Sequence, residues 1–233
     1  MKAIILAAGK SVRLQPLTND TPKPLVEVNG RPFLYYMINQ LEKAGFSQQD
    51  IAIVVHYKKE KIEEFVERFR FSVTLIDQGD IQGTAHAVSA AKDFVKNDNF
   101  VVIMGDNFYD SEDIKKIAID DKLCHIAGFH HTEPQRFGVL IVDEEKLVRF
   151  IEKPKEKITD LINTGLYKFT PEIFDALKKI RKSERGEYEL TDAITLLADK
   201  EKVIVVEIEA WLDLGNIDDI KRMEDFLKEK CIE

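Results

Sequence analysis

Residues 3–8, 51–55, 73–76 and 100–104 are short runs with apolar side chains at almost every position. A strand that is apolar on both faces must be covered on both. That points to a parallel sheet between two layers of helices, and away from an antiparallel sheet with one wet face. The segments between the runs repeat at the helical period instead. Phe33, Leu34, Met37, Ile38 and Leu41 fall on one stripe of a segment opened by Arg31-Pro32 and closed by Gly45. Ile62, Phe65, Val66 and Phe69 do the same within 58–69, and 84–95 has the same character. The order β-α-β-α-β-α-β predicts an α/β chain with a doubly wound, mostly parallel sheet.

The second half reads differently. Residues 123–129, 138–142, 147–152 and 163–169 are strand-like with hairpin-like connections, which predicts a mixed sheet. A helix is expected after Pro171, another over 189–198, a strand over 203–208 and a last helix over 216–228. With 233 residues, 44% of them apolar, the chain is long enough for one large core and is not of disordered composition. We expect a single domain over 1–233, in which 1–110 starts a ligand site and 111–233 completes it. The formal net charge of −8 argues against a general nucleic-acid binder, since those carry a basic face. Cys124 and Cys231 are far apart and in no metal-like spacing, so two reduced thiols are expected. Met1-Lys2 runs directly into the first apolar run, and Gly9 ends that run too early for a signal-peptide core or a membrane span. The cytoplasm is the expected compartment, with no membrane partner.

At Gly9 the first strand gives way to a polar loop that carries Arg13 and Lys23, and no helical period returns until after Pro32. Open α/β sheets place ligands outside the carboxyl ends of their strands. A glycine there lets backbone amides approach an anion, the Arg13 guanidinium offers a two-pronged donor, and Lys23 offers a compact charge. Pro22 and Pro24 stiffen the backbone around Lys23, which lowers the entropy lost in fixing it on a ligand. These features point to a phosphate. An ordinary surface loop with two solvated cations would show the same spacing.

The motifs in order decide between these. Leu6, Gly9, Arg13, Pro16, Thr18, Pro22, Lys23 and Pro24 resemble the signature loop of the sugar-phosphate nucleotidylyltransferases, a Gly-x-Gly-Thr-Arg loop followed by Pro-x-Thr and Pro-Lys-Pro. Ser11 and Val12 stand where that family commonly has Gly and Thr. Gln78, Gly83 and Thr84 resemble its base-reading segment, and Gly105-Asp106-Asn107 resembles its metal-bearing strand end. Phe137-Gly138, Glu152-Lys153-Pro154, Asn163-Thr164-Gly165 and the run 211–215 resemble its sugar and second-metal segments, with Phe137 where a tyrosine is frequent. Several spaced motifs in order are far more specific than any one of them.

The resemblance implies a Rossmann-like, GT-A-like nucleotidyltransferase fold, with 1–110 binding nucleotide and 111–233 binding sugar phosphate and a second metal ligand. It implies Leu6, Ala8, Gly9, Ser11, Arg13, Gln78, Gly83 and Thr84 around the nucleotide. Asn107, Gly138, Glu152, Lys153, Asn163 and Tyr167 would line the sugar-phosphate pocket. Asp106, directly after a buried strand, is a candidate Mg²⁺ ligand, and the resemblance supplies Asp213 as its partner; Mg²⁺ commonly takes one or two carboxylates plus phosphate oxygens. Gln78 carries the donor and acceptor that a pyrimidine edge requires. Glu152 and Lys153, read as neighbours on a strand, are expected on opposite faces. His130 and His131 are likewise adjacent, which argues against joint metal ligation, and His86 is expected to be structural.

The expected chemistry is nucleotidyl transfer from UTP or dTTP to a sugar 1-phosphate, glucose-1-phosphate or N-acetylglucosamine-1-phosphate, with Arg13, Lys23 and Asp106 as the catalytic residues. Two alternatives stay open at this point: a cytidylyltransferase acting on another small phosphate, and a non-catalytic sugar-nucleotide sensor of the same fold. The chain stops one helix after residues 211–215, so the left-handed β-helix that many relatives carry, with its acetyltransferase site and oligomer contacts, is expected to be missing. A homo-oligomer is left open.

Overall fold

After Lys2, every residue of strand β1 (Lys2–Leu6) is buried, and its alternate side chains enter two separate cores. The structure, a computed structural model, describes residues 1–9 and 14–232. Strand β1 lies parallel to β4 (Ile51–Val55) on one side and to β6 (Phe100–Met104) on the other, with Ile5 level with both Ile53 and Ile103. Strand β5 (Thr74–Asp77) extends the parallel group beyond β4. Ala3 and Ile5 pack with α1 (Phe33–Lys43) and α2 (Lys59–Phe69), whereas Ile4 and Leu6 face the layer that contains α3 (Thr84–Ala90) and α4 (Lys92–Val95). Burying each such aliphatic side chain contributes about 1.5–3 kcal/mol, which is why the central strands tolerate almost no polar residue.

Beyond β6 the sheet becomes mixed, as expected. β11 (Leu161–Phe169) runs antiparallel to β6, followed by β8 (Cys124–His130), β12 (Val203–Glu207), β10 (Lys146–Glu152) and β9 (Gly138–Asp143). The nine strands form one sheet through both halves of the chain. Strand β9 also touches β11, through Ile162 and Val139, so the second half curls back on itself. β11 changes register between Asn163 and Tyr167, where Gly165 takes a φ of +84° and sits so close to Met104 that a Cβ would come within 2.4 Å of it. Helices α6 (Ile173–Leu177) and α7 (Leu190–Ala198) cover the α3 side, and α8 (Ile217–Glu229) covers the α1 side.

Several local expectations are corrected. The helix over 84–95 is two pieces that meet at Ala91, whose φ of −82° and ψ of 1° depart from the helix. Arg31-Pro32 does not open α1 but forms strand β3 (Arg31–Pro32), paired with β2 (Glu27–Val28); Pro32 is extended at ψ 138°, so the helix starts at Phe33. Three further elements had no sequence expectation: β7 (Asn107–Tyr109), α5 (Ser111–Ile117) and β13 (Trp211–Asp213). Among the described residues, no helix is long and apolar enough to cross a membrane.

Candidate active site

The parallel strands end at a cleft of about 810 Å³. Its floor is set by one close approach: the Gly105 amide donates to the Leu6 carbonyl at 2.8 Å, and a Cβ on Gly105 would lie 2.4 Å from that oxygen. Only glycine fits there, and the chain therefore leaves β6 with Asp106 delivered to the mouth of β1. Lys23 approaches from the other side on a single 3₁₀ turn, Lys23–Leu25, which Pro22 enters in an extended conformation. The residue is 4% exposed, and its Nζ donates to Asp106 Oδ2 at 2.6 Å. A charge-assisted bond of this length, with the ammonium buried and the carboxylate one-third exposed, presents a cation and an anion together to the cleft.

Leu6, Ala8, Gly9, Gln78, Gly83 and Thr84 all line the same cleft. Gln78 is buried, and its Nε2 donates only a long 3.5 Å bond to the Asp80 carbonyl. Gly83 has a further reason to be glycine. Its φ is +101°, and a Cβ would come within 2.5 Å of the Tyr188 carbonyl, because residues 82–85 pair with Tyr188 through backbone bonds on both sides. The Thr84 hydroxyl accepts the Leu190 amide at the start of α7, which ties the base-side loop to the second half. Ser11 and Arg13 lie outside the described residues.

A second pocket of about 520 Å³ shares Thr84 and Met104 with the cleft and holds Glu152 and Tyr167. Gly138 stands opposite Glu152 in the β9–β10 ladder, where a Cβ would meet the Phe150 ring at 2.2 Å and Glu152 Oε2 at 2.9 Å. The expectation that Glu152 and Lys153 face opposite sides is corrected: β10 ends at Glu152, Lys153 turns left-handed at φ 42°, and its Nζ lies 3.9 Å from Glu152 Oε1. Asn163 Nδ2 donates to the Tyr167 hydroxyl at 2.7 Å. Burial pushes the Tyr167 phenol up to about 12, so it stays a neutral hydrogen-bonding group.

The ribbon of β7 and β13 joins the two ends of the chain at this site. Asp213 stands directly opposite Asn107, and the Leu214 amide donates to the Asp106 carbonyl at 2.8 Å. The backbones of Asp106 and Asp213 are thus side by side, although more than a hundred positions separate them in sequence. The Asp213 side chain lines a smaller, aromatic-walled pocket with Phe137 and Trp211, whereas Asp106 lines the main cleft. Asn107 Nδ2 donates to Asp106 Oδ1 at 3.3 Å, and its own buried Oδ1 has no partner among the described residues.

Other groups at the cleft were not legible beforehand. His56, Asp80, Ile81 and Glu187 line it. Asp77 accepts from Lys59 at 2.6 Å and from the Gly79 amide, contacts His56 at 3.2 Å, and is held well below the usual carboxylate range chiefly by Lys59. Ser183, Arg185 and Glu189 line the second pocket, with Arg185 and Ser183 both bonded to Glu189. The polar run 181–189 was the one signal for them, a loop ahead of an apolar helix. His130 and His131 go separate ways, His130 to Asp160 and His131 against Phe137 and Trp211, in line with the sequence argument.

A family model for nucleotidyl transferases matches residues 2–230. The chain belongs to the nucleotidyl transferase family. It is 36% identical over 240 residues to the UTP–glucose-1-phosphate uridylyltransferase AglF of Haloferax volcanii, which covers 99% of this chain and 98% of that protein. It is 39% identical over 232 residues to the bifunctional protein GlmU of Methanocaldococcus jannaschii, covering 99% of this chain but 55% of the relative. The chain spans about half the length of such bifunctional relatives. A Bacillus anthracis structure assigned as a glucose-1-phosphate thymidylyltransferase, solved with sucrose, superposes with a TM-score of 0.85 at 30% identity over 98% of this chain and 96% of that one. The α/β fold with a mixed central sheet is shared with that structure and, at 22% identity and a TM-score of 0.85, with a UDP-glucose pyrophosphorylase structure.

Nucleotidyl transferases generally use a divalent metal. Asp106 and the unpartnered amide oxygen of Asn107 beside it are donors that suit a hard cation, whereas Asp213, brought alongside through the backbone ladder, lines the neighbouring pocket. Among the described residues no group of three or more His, Cys, Asp or Glu is placed to hold a metal ion, so phosphate oxygens would have to complete the coordination.

Proposed function

We propose that this nucleotidyl transferase moves a uridylyl or thymidylyl group from UTP or dTTP to a sugar 1-phosphate, glucose-1-phosphate or N-acetylglucosamine-1-phosphate, and releases pyrophosphate. The observation that carries the proposal is the buried Lys23 ammonium on the Asp106 carboxylate, at a cleft that shares Thr84 and Met104 with a second pocket. One cavity suits the triphosphate and the other the acceptor. The near full-length match to a UTP–glucose-1-phosphate uridylyltransferase supports the same substrates.

In the proposed reaction a phosphate oxygen of the sugar 1-phosphate attacks the α-phosphorus in line. A new P–O bond forms as the bond to the β-phosphate breaks, and the electron pair leaves with pyrophosphate. No protein nucleophile is needed, so positioning and charge neutralisation carry the catalysis. Lys23 bridges the α-phosphate and the incoming phosphate, and Arg13 stabilises the departing pyrophosphate. Gln78, above Gly83 and Thr84, reads the pyrimidine edge. Glu152, Asn163, Tyr167 and the Gly138 backbone orient the sugar hydroxyls, while Lys153 holds its phosphate and Asn107 closes the floor. Asp106 and Asp213 would hold Mg²⁺, which supplies charge neutralisation at the triphosphate. In this proposal residues 1–110 bind nucleotide and 111–233 bind the acceptor, within one domain in the cytoplasm.

A pyrophosphate-release panel tests it: four nucleoside triphosphates crossed with several sugar and non-sugar phosphates, with and without Mg²⁺. Turnover with UTP or dTTP and a hexose 1-phosphate, lost in Asp106→Ala, is expected. Turnover only with CTP, or binding of UDP-glucose without pyrophosphate release, would overturn it.

A further inference from the structure

The strand ends at the main cleft form a row whose order the sheet sets: β5, β4, β1, β6. Gln78 follows β5, His56 follows β4, Ala7 to Gly9 follow β1, and Gly105 and Asp106 follow β6. Backbone bonds continue the row past the strands. The Gln78 amide donates to the Val55 carbonyl at 3.0 Å, the Ala7 amide to Val54 at 2.8 Å, and the Gly105 amide to Leu6 at 2.8 Å. Neighbouring strands lie about 4.8 Å apart, so about 14 Å separates the Gln78 end of the row from the Asp106 end. In a nucleotide with its base at Gln78 and its phosphates at Lys23 and Asp106, the ribose falls over the ends of β4 and β1. From β1 the cleft receives only apolar residues and Gly9, so among the described residues His56 is the polar side chain that the row places there. Asp80 and Glu187 belong to the base end. The Asp80 carbonyl takes the Gln78 side-chain amide, and Glu187 adjoins Tyr188, whose backbone bonds Gln82 and Ala85.

The His56 ring is oriented by its neighbour. Asp77 takes the Lys59 ammonium at 2.6 Å and the Gly79 amide at 2.9 Å, and these contacts keep it ionised. An ionised carboxylate only accepts, so across the 3.2 Å contact with Asp77 Oδ1 it is His56 Nδ1 that carries the proton. A neutral ring protonated there has one acceptor left, Nε2, and that nitrogen has no partner among the described residues. The same carboxylate, through Gly79, shapes the turn that carries Gln78, so base reader and imidazole share one anchor. An acceptor at the cleft suits a hydroxyl and repels phosphate oxygens, which are acceptors themselves. Of the two ribose hydroxyls, the 2′ group sits on the carbon next to the one bearing the base. It is therefore the one nearer β4, the strand beside Gln78. We propose that His56 accepts the ribose 2′-hydroxyl of the nucleotide and thereby selects UTP over dTTP. The proposal rests on the nucleotide site proposed above and narrows its substrate.

The experiment measures pyrophosphate release from UTP, dUTP, 3′-deoxy-UTP, 5-methyl-UTP and dTTP with a hexose 1-phosphate, and calorimetric binding of the same nucleotides without it. UTP against dUTP isolates the 2′-hydroxyl, and UTP against 5-methyl-UTP isolates the base methyl group. The parent is expected to favour UTP over dUTP by about 3- to 10-fold in kcat/KM, the range of one neutral hydrogen bond. His56→Asn keeps a donor for Asp77 but has nothing at the Nε2 position, so the ratio should collapse towards one, carried by KM. His56→Gln reaches the Nε2 position with an amide oxygen and should retain part of the preference. The His56 side chain is 37% exposed, so neither change is expected to unfold the protein. A parent that treats UTP and dUTP alike would overturn the proposal. So would a variant that loses UTP and dUTP equally, which marks a phosphate or base contact, or one whose effect appears with 3′-deoxy-UTP as the lost partner. A parent that releases pyrophosphate from neither UTP nor dTTP would remove the nucleotide reading itself. A parent that favours UTP, with a ratio unmoved in His56→Asn, would remove only the part given to His56.

Discussion

Gly215 lies directly beneath Asp213: a Cβ built on the glycine would stand 2.7 Å from Asp213 Oδ2 and 3.2 Å from Asp219 Oδ2. What it would meet first is the end of the Asp213 side chain, not backbone, with the cap oxygen of Asp219 next. Gly215→Ala is therefore expected to cost little stability while turning the Asp213 carboxylate away from its present position. The half-saturating Mg²⁺ concentration for pyrophosphate release should rise, with Tm nearly unchanged. An unaltered Mg²⁺ requirement would mean that Asp213 does not serve the metal.

Lys23 and Asp106 form an ion pair, which sets two effects against one another. Replacing Lys23 by Met keeps the apolar stem in its buried slot and removes only the charge. Loss of one preorganised group that stabilises developing charge typically lowers kcat by about 10²–10³, and that is the expected fall in turnover. The same change frees Asp106 from its counter-ion, so Mn²⁺ binding to the protein without substrates should tighten. Calorimetric titration of the variant checks this; weaker metal binding would show that Asp106 is not a ligand.

What the sequence made legible was whatever is written locally. The apolar runs and their helical connectors pointed to the parallel strands; burial on both faces leaves an unmistakable pattern in β1, β4 and β6, while the edge strand β5 is only partly buried. Gly9, Gln78 and Asp106 follow the ends of parallel strands, and Lys23, Gly83 and Thr84 come to the same cleft from the loops and turns beyond them. What was not legible depends on partners distant in the chain. Strands β7 and β13 are three residues each and exist only because they pair, and α5 is too short and polar to announce itself. Lys153 looked like a strand residue because nothing in the sequence marks its positive φ. The reason for Gly83 is Tyr188, more than a hundred residues away.

Gly9 and Gly83 should separate cleanly on substitution. Among the described residues nothing lies within 4 Å of a Cβ at Gly9, whereas Gly83 combines a φ of +101° with the Tyr188 carbonyl at 2.5 Å. Gly83→Ala is expected to lose about 1–3 kcal/mol from overpacking against immovable backbone, seen as a lower urea midpoint. Gly9→Ala should leave that midpoint alone and raise KM for the nucleotide, because only a bound triphosphate would meet the new methyl group. An equal loss of stability in both would argue against a ligand-facing role for Gly9.

Tyr167 supplies a pH signature. Burial raises its phenol to about 12 from an ordinary value of 10.0, so the folded protein keeps a proton that the unfolded chain gives up. Stability from this group is intact below pH 10 and declines as pH rises from there towards 12, at up to roughly 1.4 kcal/mol per pH unit. Tyr109, also buried with a raised phenol, contributes in the same direction, so the informative quantity is a difference between proteins. Urea unfolding of the parent and of Tyr167→Phe, measured from pH 8 to 11.5, should show the parent losing stability more steeply above pH 10. The phenylalanine variant also gives up the 2.7 Å bond from Asn163, so its curve should start lower and run flatter, and the two should converge at the alkaline end. Parallel curves would mean that the Tyr167 hydroxyl is not held neutral by burial.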